Sequence, residues 1–399
     1  MNIFKLPYIP FQKNIEKILD TKLYNNIENT DTPFINKTLF EYLIKLKKEL
    51  MYSDKNEINN YEYIYKNIPN HKYSVSKIIP TNICFFKWIE IFNSIELFID
   101  IPYNYNCFHL TNNNITNIGL IESIYYNQKY NNCNYYTISH DNDKDIFNYL
   151  LSYKKLFNNL NTIYTNNNIN FFIEYHTEQN VELNAKYIQK KYNGSMHLIV
   201  ADNDLTMDIT NNEIFFLNLF IMQITYAISI QSFGGIFIIK INDVFLKPFI
   251  DIFYLLSLLY DYVFLFKPYI SNIVCSDKYI ICKKYRIHNN DIEYKNSILK
   301  NIIQIVNNIN LNNYTKNTII KNILNAEIPL YYLNKLVEYN TIISQDKLDY
   351  LFLKKNTKNK NKDKDKKYNN NLISIIQTNI DWCKKNKIPY NNINYFINK

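Results

Sequence analysis

The sequence predicts an α/β protein. Its expected centre is a mostly parallel, seven-stranded sheet with an antiparallel edge strand, and helical extensions lie at both ends. Three observations predict it. Seven short apolar runs recur: NCFHL (106–110), NYYTIS (134–139), NFFIEY (170–175), HLIVAD (197–202), GIFIIKI (235–241), YVFLFK (262–267) and KYIICKKY (278–285). Longer stretches of helical periodicity separate them, near 115–128, 145–160, 180–192, 212–231 and 247–260. The last two runs are joined by FKPYISNIVCSD, which contains Pro268 and leaves no room for a crossover helix, so they are expected to pair antiparallel.

In chain order, residues 1–80 read as a helical and irregular extension. Within it KTLFEYLIKLKKELMY (37–52) sets Leu39, Tyr42, Leu43 and Leu46 at helical spacing. Residues 81–286 carry the sheet. Its runs are apolar throughout rather than alternating, the mark of strands covered on both faces. From 287 to 399 the pattern returns to helix, broken by the tract KKNTKNKNKDKDKK (354–367), so a charged, flexible insert is expected over 354–371. No internal repeat is visible.

Composition narrows the function classes. The formal net charge of +9 is compatible with a polyanionic partner, although part of the excess sits in that tract. Asn, Ile, Lys and Tyr dominate while there are 4 glycines. These residues share A/T-rich codons, so Asn-rich stretches need not be loops. The 6 cysteines show no CxxC spacing and no zinc-like cluster with histidine. The first residues lack the apolar core of a signal peptide. The most apolar stretch, 214–230, is interrupted by Asn218 and Gln223. An intracellular, reduced, soluble and cytoplasmic protein is the expectation, with no membrane contact.

In an open parallel sheet, ligands sit beyond the carboxyl ends of the strands. Those ends read LTNNNITNIG (110–119), SHDND (139–143) and ADND (201–204), and the fifth strand carries Lys240 near its end. Asp202 and Lys240 are thus expected in one crevice. Singly, each has a plain explanation: a strand-end Asp caps the next helix, and a Lys finishing an apolar strand snorkels to water. Their combination on adjacent strands at the ligand edge points to chemistry.

Here a resemblance becomes specific. The segment HLIVADNDLTMDITNNEIFFLNLFIMQITYAISIQSFGGIFIIKINDVF (197–245) resembles the FtsJ/RrmJ-like family of ribose 2′-O-methyltransferases. That family has a strand ending in a DLVxSDGG-like motif, a long helix, then a GG-x-(apolar)-K strand. PYISNIVCSDKYIICKKY (268–285) is similar to its proline-containing loop and S-E-K-Y-(apolar)-V-C-K strand, and CFFKWIEIF (84–92) to its early K-(apolar)-x-E helix. QTNIDWCKKNKIPY (377–390) resembles the C-terminal helices of versions found in large DNA viruses. The likeness spans roughly residues 80–390 and fits the cap-methylating branch.

The resemblance implies a Rossmann-like methyltransferase fold over 81–286, S-adenosylmethionine as cofactor, and RNA, above all capped mRNA, as substrate. Capping or transcription-complex subunits are implied as partners. It places the family's Lys-Asp-Lys-Glu tetrad on Lys87, Asp202, Lys240 and Asp277. A ribose hydroxyl is a poor nucleophile, so its proton must leave as it attacks. Lys240 would be base or guide, Lys87 the second cation, and the two carboxylates would orient both. No metal is required. Asn114, Asn117 and Gly119 fall on the family's cofactor loop, Asp202 borders it, and Asp141 or Asp143 would take the adenosine ribose. Lys247, Lys267 and Lys283 fall near the expected crevice and are candidates for RNA contact, with a plain surface lysine as the alternative for each.

Three departures stand out. Asp277 replaces a glutamate, Asn203-Asp204 replaces a Gly-Gly, and of the E-x-P-G-G-F-like cofactor loop only Gly119 survives. Two readings follow: a cap-directed 2′-O-methyltransferase, or a related domain without productive cofactor binding that serves as an RNA-binding or scaffolding subunit.

Overall fold

The computed structural model describes residues 3–24, 33–51, 61–110, 114–127, 132–140, 169–176, 181–202, 217–241, 244–271, 278–315, 319–357 and 365–397. Ten strands are present among them: β1 (Ile3–Lys5), β2 (Leu19–Tyr24), β3 (Asn104–Leu110), β4 (Asn132–His140), β5 (Ile169–His176), β6 (Met196–Ala201), β7 (Gln231–Ile241), β8 (Tyr260–Phe266), β9 (Lys278–Tyr285) and β10 (Ile319–Leu324). The helices are α1 (Ile15–Ile18), α2 (Lys37–Met51), α3 (Cys84–Ser94), α4 (Leu97–Asp100), α5 (Asn114–Asn127), α6 (Val181–Tyr192), α7 (Leu217–Ile230), α8 (Lys247–Leu259), α9 (Ile292–Thr315), α10 (Leu330–Thr357), α11 (Asp365–Lys385) and α12 (Asn394–Ile397).

All seven apolar runs are strands of one sheet, ordered β5-β4-β3-β6-β7-β9-β8-β1. From β5 to β7 the pairs are parallel, and β7–β9, β9–β8 and β8–β1 are antiparallel. The antiparallel hairpin expected from the short 266–277 connection is present. Its reversed strand, however, lies inside the sheet: β9 inserts between β7 and β8, where both its faces are covered and its ladder is satisfied on both sides. The edge is instead formed by the N-terminal β1, an eighth strand that the local pattern did not disclose.

Alternation along β7 shows how the layers form. Ile236 and Ile238 point to one face, packing with Trp88 and Ile91 of α3 and Leu120 and Ile124 of α5. Phe237, Ile239 and Ile241 point to the other, against α6, α7, α8 and α9. Each such side chain contributes about 1.5–3 kcal/mol by leaving water. A third core joins Ile64, Ile68 and Val75 to Ile376, Ile380 and Trp382 against Phe85, Phe86 and Ile89 on the outer side of α3.

The extensions are tied to the sheet rather than appended to it. Strand β2 pairs with β10 across the length of the chain. Buried Asp251 on α8 fastens that pair, accepting the backbone N–H groups of Ile323 and Leu324 as well as the Lys247 ammonium. Within the charged tract, 354–357 close α10 and 365–371 open α11, while 358–364 lie outside the described residues. No helix among the described residues is long and apolar enough to cross a membrane.

The start of β7 explains two of the scarce glycines. Gln231 lies opposite Met196 but Ile236 opposite Leu198, so β7 bulges between them. Gly234 takes φ +76°, a left-handed value that a side chain disfavours. A Cβ on Gly235 would sit 2.9 Å from the Ser232 carbonyl oxygen.

Candidate active site

Strand register builds the first part of the site. Ala201 pairs with Ile239, so Asp202 and Lys240 are the next residues on neighbouring parallel strands. Because Val200 and Ile238 face α3 and α5, strict alternation puts Asp202 and Lys240 on that same face at the carboxyl edge. The Lys240 ammonium lies 3.9 Å from a carboxylate oxygen of Asp202, with the two residues 8% and 2% exposed. The Asp202 N–H donates to the Leu110 carbonyl at 3.3 Å, which ties the end of β6 to that of β3. Two opposite charges so deeply buried compensate one another; either alone would be strongly unfavourable.

On the other side of Lys240 its register partner is Tyr279 of β9, fully buried. The Tyr279 ring packs edge-on against Trp88 at 5.4 Å, which seats α3 over this corner of the sheet. Lys87, the neighbour of Trp88, is half-buried on that helix. Burial pushes the Tyr65 phenol up, and the Lys66 ammonium opposes that shift ahead of smaller effects from Glu62 and Lys87. The structure therefore brings Asp202 and Lys240 together and puts Lys87 on the helix packed above their partner. Asp277 lies outside the described residues; its neighbour Lys278 is buried and pairs with Ile241.

The resemblance placed Glu90 in the K-(apolar)-x-E helix but gave it no role. Its buried carboxylate accepts the N–H groups of Tyr269 (2.8 Å) and Ile270 (3.3 Å) and the indole N–H of Trp382 (3.0 Å). One side chain thus locks α3 to the loop after β8 and to α11. Burial raises its pKa, and the three donors oppose that rise. The K-x-x-E spacing on a helix was its only sequence signal.

The cofactor end departs from what the resemblance implies. The helix expected near 115–128 is α5, which begins at Asn114, so Asn114, Asn117 and Gly119, the positions aligned with the family's cofactor loop, all fall within it. Asn114 and Asn117 are in its first turn, and only 111–113 are left to connect it to β3. Gly119 lies inside the helix, where a Cβ would come 2.7 Å from Cys84 Cβ and 2.8 Å from the Phe85 nitrogen. Its missing side chain admits the start of α3 and opens no cradle for a ligand. Glu122 fastens the same contact by accepting the Thr81 N–H at 2.9 Å. The N-terminus of α5 lies at the carboxyl edge, where the first N–H groups of a helix have no partner within the helix itself. Asp141 and Asp143 lie outside the described residues.

Beneath this edge sits a neutral polar pair that the motifs did not flag. His109, near the end of β3, is fully buried and bonded through Nδ1 to the Tyr135 hydroxyl at 2.5 Å. Burial drops its pKa to about 3, so it stays uncharged.

The candidate RNA contacts divide. Lys247 is bonded to Asp251 at the start of α8, and Lys267 follows β8. Lys283 is not at the crevice: β9 runs backwards, so its last residues reach the amino edge, where Lys283 bonds Asp100 and the Ile95 carbonyl. A pocket of about 430 Å³ opens there, lined by Tyr8, Phe11, Phe233 and Arg286. It lies at the opposite edge from Asp202 and Lys240, and its Arg286 is held by Asp261 at 2.8 Å.

A mostly parallel sheet in this order, covered by helices on both faces and with polar side chains gathered at its carboxyl edge, is a Rossmann-like fold. No family model matches the chain. It is similar to cap-specific mRNA (nucleoside-2′-O-)-methyltransferase 1A of Caenorhabditis briggsae, 31% identical over 111 residues, 27% of this chain and 13% of that protein. It is similar also to cap-specific mRNA (nucleoside-2′-O-)-methyltransferase 1 of Mus musculus, 28% identical over 162 residues, 40% of this chain and 18% of that protein. A third relative, the inactive cap-specific mRNA (nucleoside-2′-O-)-methyltransferase 1B of Caenorhabditis briggsae, is 29% identical over 112 residues, 27% of this chain and 13% of that protein. The chain thus spans less than a fifth of the length of each. Among solved structures, human methyltransferase-like protein 13 in complex with SAH aligns with a TM-score of 0.28 at 10% identity, over 55% of this chain and 90% of that one.

Proposed function

We propose that this protein methylates a ribose 2′-hydroxyl of RNA, at the mRNA cap, with S-adenosylmethionine as donor. The observation that carries this reading is the buried Asp202–Lys240 pair at the carboxyl edge, 3.9 Å apart. A lysine finishing a strand usually extends into water; this one is held inside against a carboxylate. The likeness to the cap-directed relatives and to the FtsJ/RrmJ-like motifs supports the RNA ribose as substrate. Capping or transcription subunits are the partners it would meet.

The bound cofactor supplies an electrophilic methyl group, and the work of the chain is to present the hydroxyl to it. Lys240 holds the hydroxyl oxygen and takes part in removing its proton. Asp202 keeps the Lys240 side chain in place and balances its charge, and Lys87 on α3 adds a second cation to the corner. Asp277 is proposed as the fourth member. The first turn of α5, with Asn114 and Asn117, faces the anionic end of the cofactor, and Asp141 or Asp143 its ribose hydroxyls. Alignment of hydroxyl and methyl supplies much of the remaining acceleration.

A second reading has one observation in its favour: the space beside Gly119 is taken by the start of α3, so this glycine offers a ligand no cradle. On that reading the domain binds RNA without transferring methyl groups. Radiolabelled S-adenosylmethionine and capped RNA with an unmethylated first ribose separate the two. Transfer by the wild type, reduced about 10²–10⁴-fold in Lys240→Ala, supports the enzyme. No transfer, together with no heat of cofactor binding in calorimetry, sinks it.

A further inference from the structure

The catalytic corner is flanked by a surface that the methyltransferase sheet does not itself provide. Residues 61–77 and 376–396 fold together on the outer side of α3 around the third core. Backbone bonds join the two segments: Lys77 N–H to the Pro389 carbonyl at 2.9 Å, and Asn391 N–H to the Val75 carbonyl at 2.8 Å. The unit is held to the sheet by Glu90 through Trp382, and by the Asn93 amide donating to the Asn386 carbonyl at 3.0 Å.

This unit lies at the same edge as the chemistry. Strand β8 runs parallel to β7, so the loop following Phe266 emerges on the side of Lys240. In that loop the Tyr269 ring lies against Tyr61 at 5.4 Å and 32°, with the Lys385 ammonium 5.9 Å from the Tyr269 centroid. On the same unit, Lys384 sits 5.9 Å from the Tyr390 centroid, and Tyr73 meets Tyr395 at 5.6 Å, the last two rings 52% and 39% exposed. Over 61–94 and 376–397 there are seven lysines (66, 72, 77, 87, 384, 385 and 387) against Glu62, Glu90 and Asp381. Glu90 is buried, Glu62 pairs with Lys66 and Asp381 with Lys384, and the exposed Lys72, Lys77, Lys385 and Lys387 leave an excess of positive charge on this surface.

Partly exposed rings beside ammonium groups suit one class of partner. Bases of any sequence stack on tyrosine while lysines follow the phosphates. We propose that this unit is a track for single-stranded RNA that leads the transcript along Tyr73/Tyr395 and Tyr390/Lys384 to Tyr269/Lys385 and into the Asp202–Lys240 corner. The proposal rests on the RNA-methylating reading above and adds where the strand runs.

Binding of a fluorescent, capped 20-nucleotide RNA tests it, measured without methyl donor over a range of salt. Lys384→Glu/Lys385→Glu is expected to weaken binding at least tenfold and to flatten the log–log salt dependence by about 1.4, two phosphates at roughly 0.7 each. Tyr269→Ala is expected to weaken it about fivefold or more. Lys186→Glu/Lys190→Glu, on the exposed face of α6, should stay within twofold of wild type, as should every variant toward a capped dinucleotide. The proposal is overturned if both track variants bind the 20-mer as the α6 control does. It is equally overturned, in favour of an acidic protein partner, if the lysine variant loses a polyglutamate peptide as strongly as RNA while Tyr269→Ala changes neither. Because no donor is present, a failure of methyl transfer would remove the catalytic reading without touching this result.

Discussion

Asp202 and Lys240 are held by strand pairing, whereas α5, the helix that follows β3, is held by helix packing. At the first end, register sets the pair: Ala201 opposite Ile239 brings the next two side chains within 3.9 Å on one face. At the second, α5 begins at Asn114 and its Gly119 accepts the start of α3. The contrast teaches that the same glycine can satisfy a motif and serve another purpose. A strand-end pair is specified by a period of two and little else. A ligand loop depends on how closely its neighbours pack.

The largest effect should come from breaking the charged pair. Asp202→Ala removes the carboxylate beside a buried ammonium and should cost about 3–5 kcal/mol in chemical denaturation, with Asp202→Ala/Lys240→Met recovering much of that loss. If Asp202→Ala costs under about 1 kcal/mol, the pair is not the buried unit described. Next, Gly119→Ala should lose about 1–3 kcal/mol by forcing α5 off α3. Cofactor affinity should change less than twofold where the protein stays folded. A variant of wild-type melting temperature and weakened cofactor binding would return Gly119 to the ligand. A smaller effect is expected from Asn114→Ala and Asn117→Ala. Calorimetry should show cofactor affinity falling about 2–10-fold for either substitution, with unfolding little changed.

The finest test contrasts Lys240 with a second buried lysine. Lys295 donates to neutral oxygens, the Asn193 side chain at 2.8 Å and the Ser229 carbonyl at 3.4 Å. Burial holds its pKa down at about 8, below the ordinary 10.5. Between those values the unfolded chain keeps a proton that the folded chain has released, so folding stability gains as pH rises through this window. Relative to Lys295→Met, wild-type stability should therefore improve from pH 8 to pH 10. A constant difference across that range would show that Lys295 is not titrating there.

Much of the fold was legible in the sequence because buried strands leave a local mark. Seven apolar runs became seven strands, and the short 266–277 segment correctly signalled an antiparallel hairpin. The insertion of β9 between β7 and β8 was not legible, since nothing in KYIICKKY says which neighbour closes the ladder. That same reversal moved Lys283 to the far edge. Strand β1 has only three residues, and β2 finds its partner about 300 positions away in β10, separations at which local pattern carries no information. In the site, Asp202 and Lys240 were legible from their strand-end positions. The role of Glu90 was not, because the three donors to its carboxylate come from two distant segments.

By itself the sequence determined the α/β class, the strands, and the pairing of an aspartate with a lysine at the ligand edge, because burial and a period of two act locally along the chain. Only the tertiary structure decided the order of the sheet, the use of Gly119 as a packing contact and the joining of residues 61–77 to 376–396 beside Lys87. Those depend on which distant surfaces exclude water from one another, and that choice is made between segments.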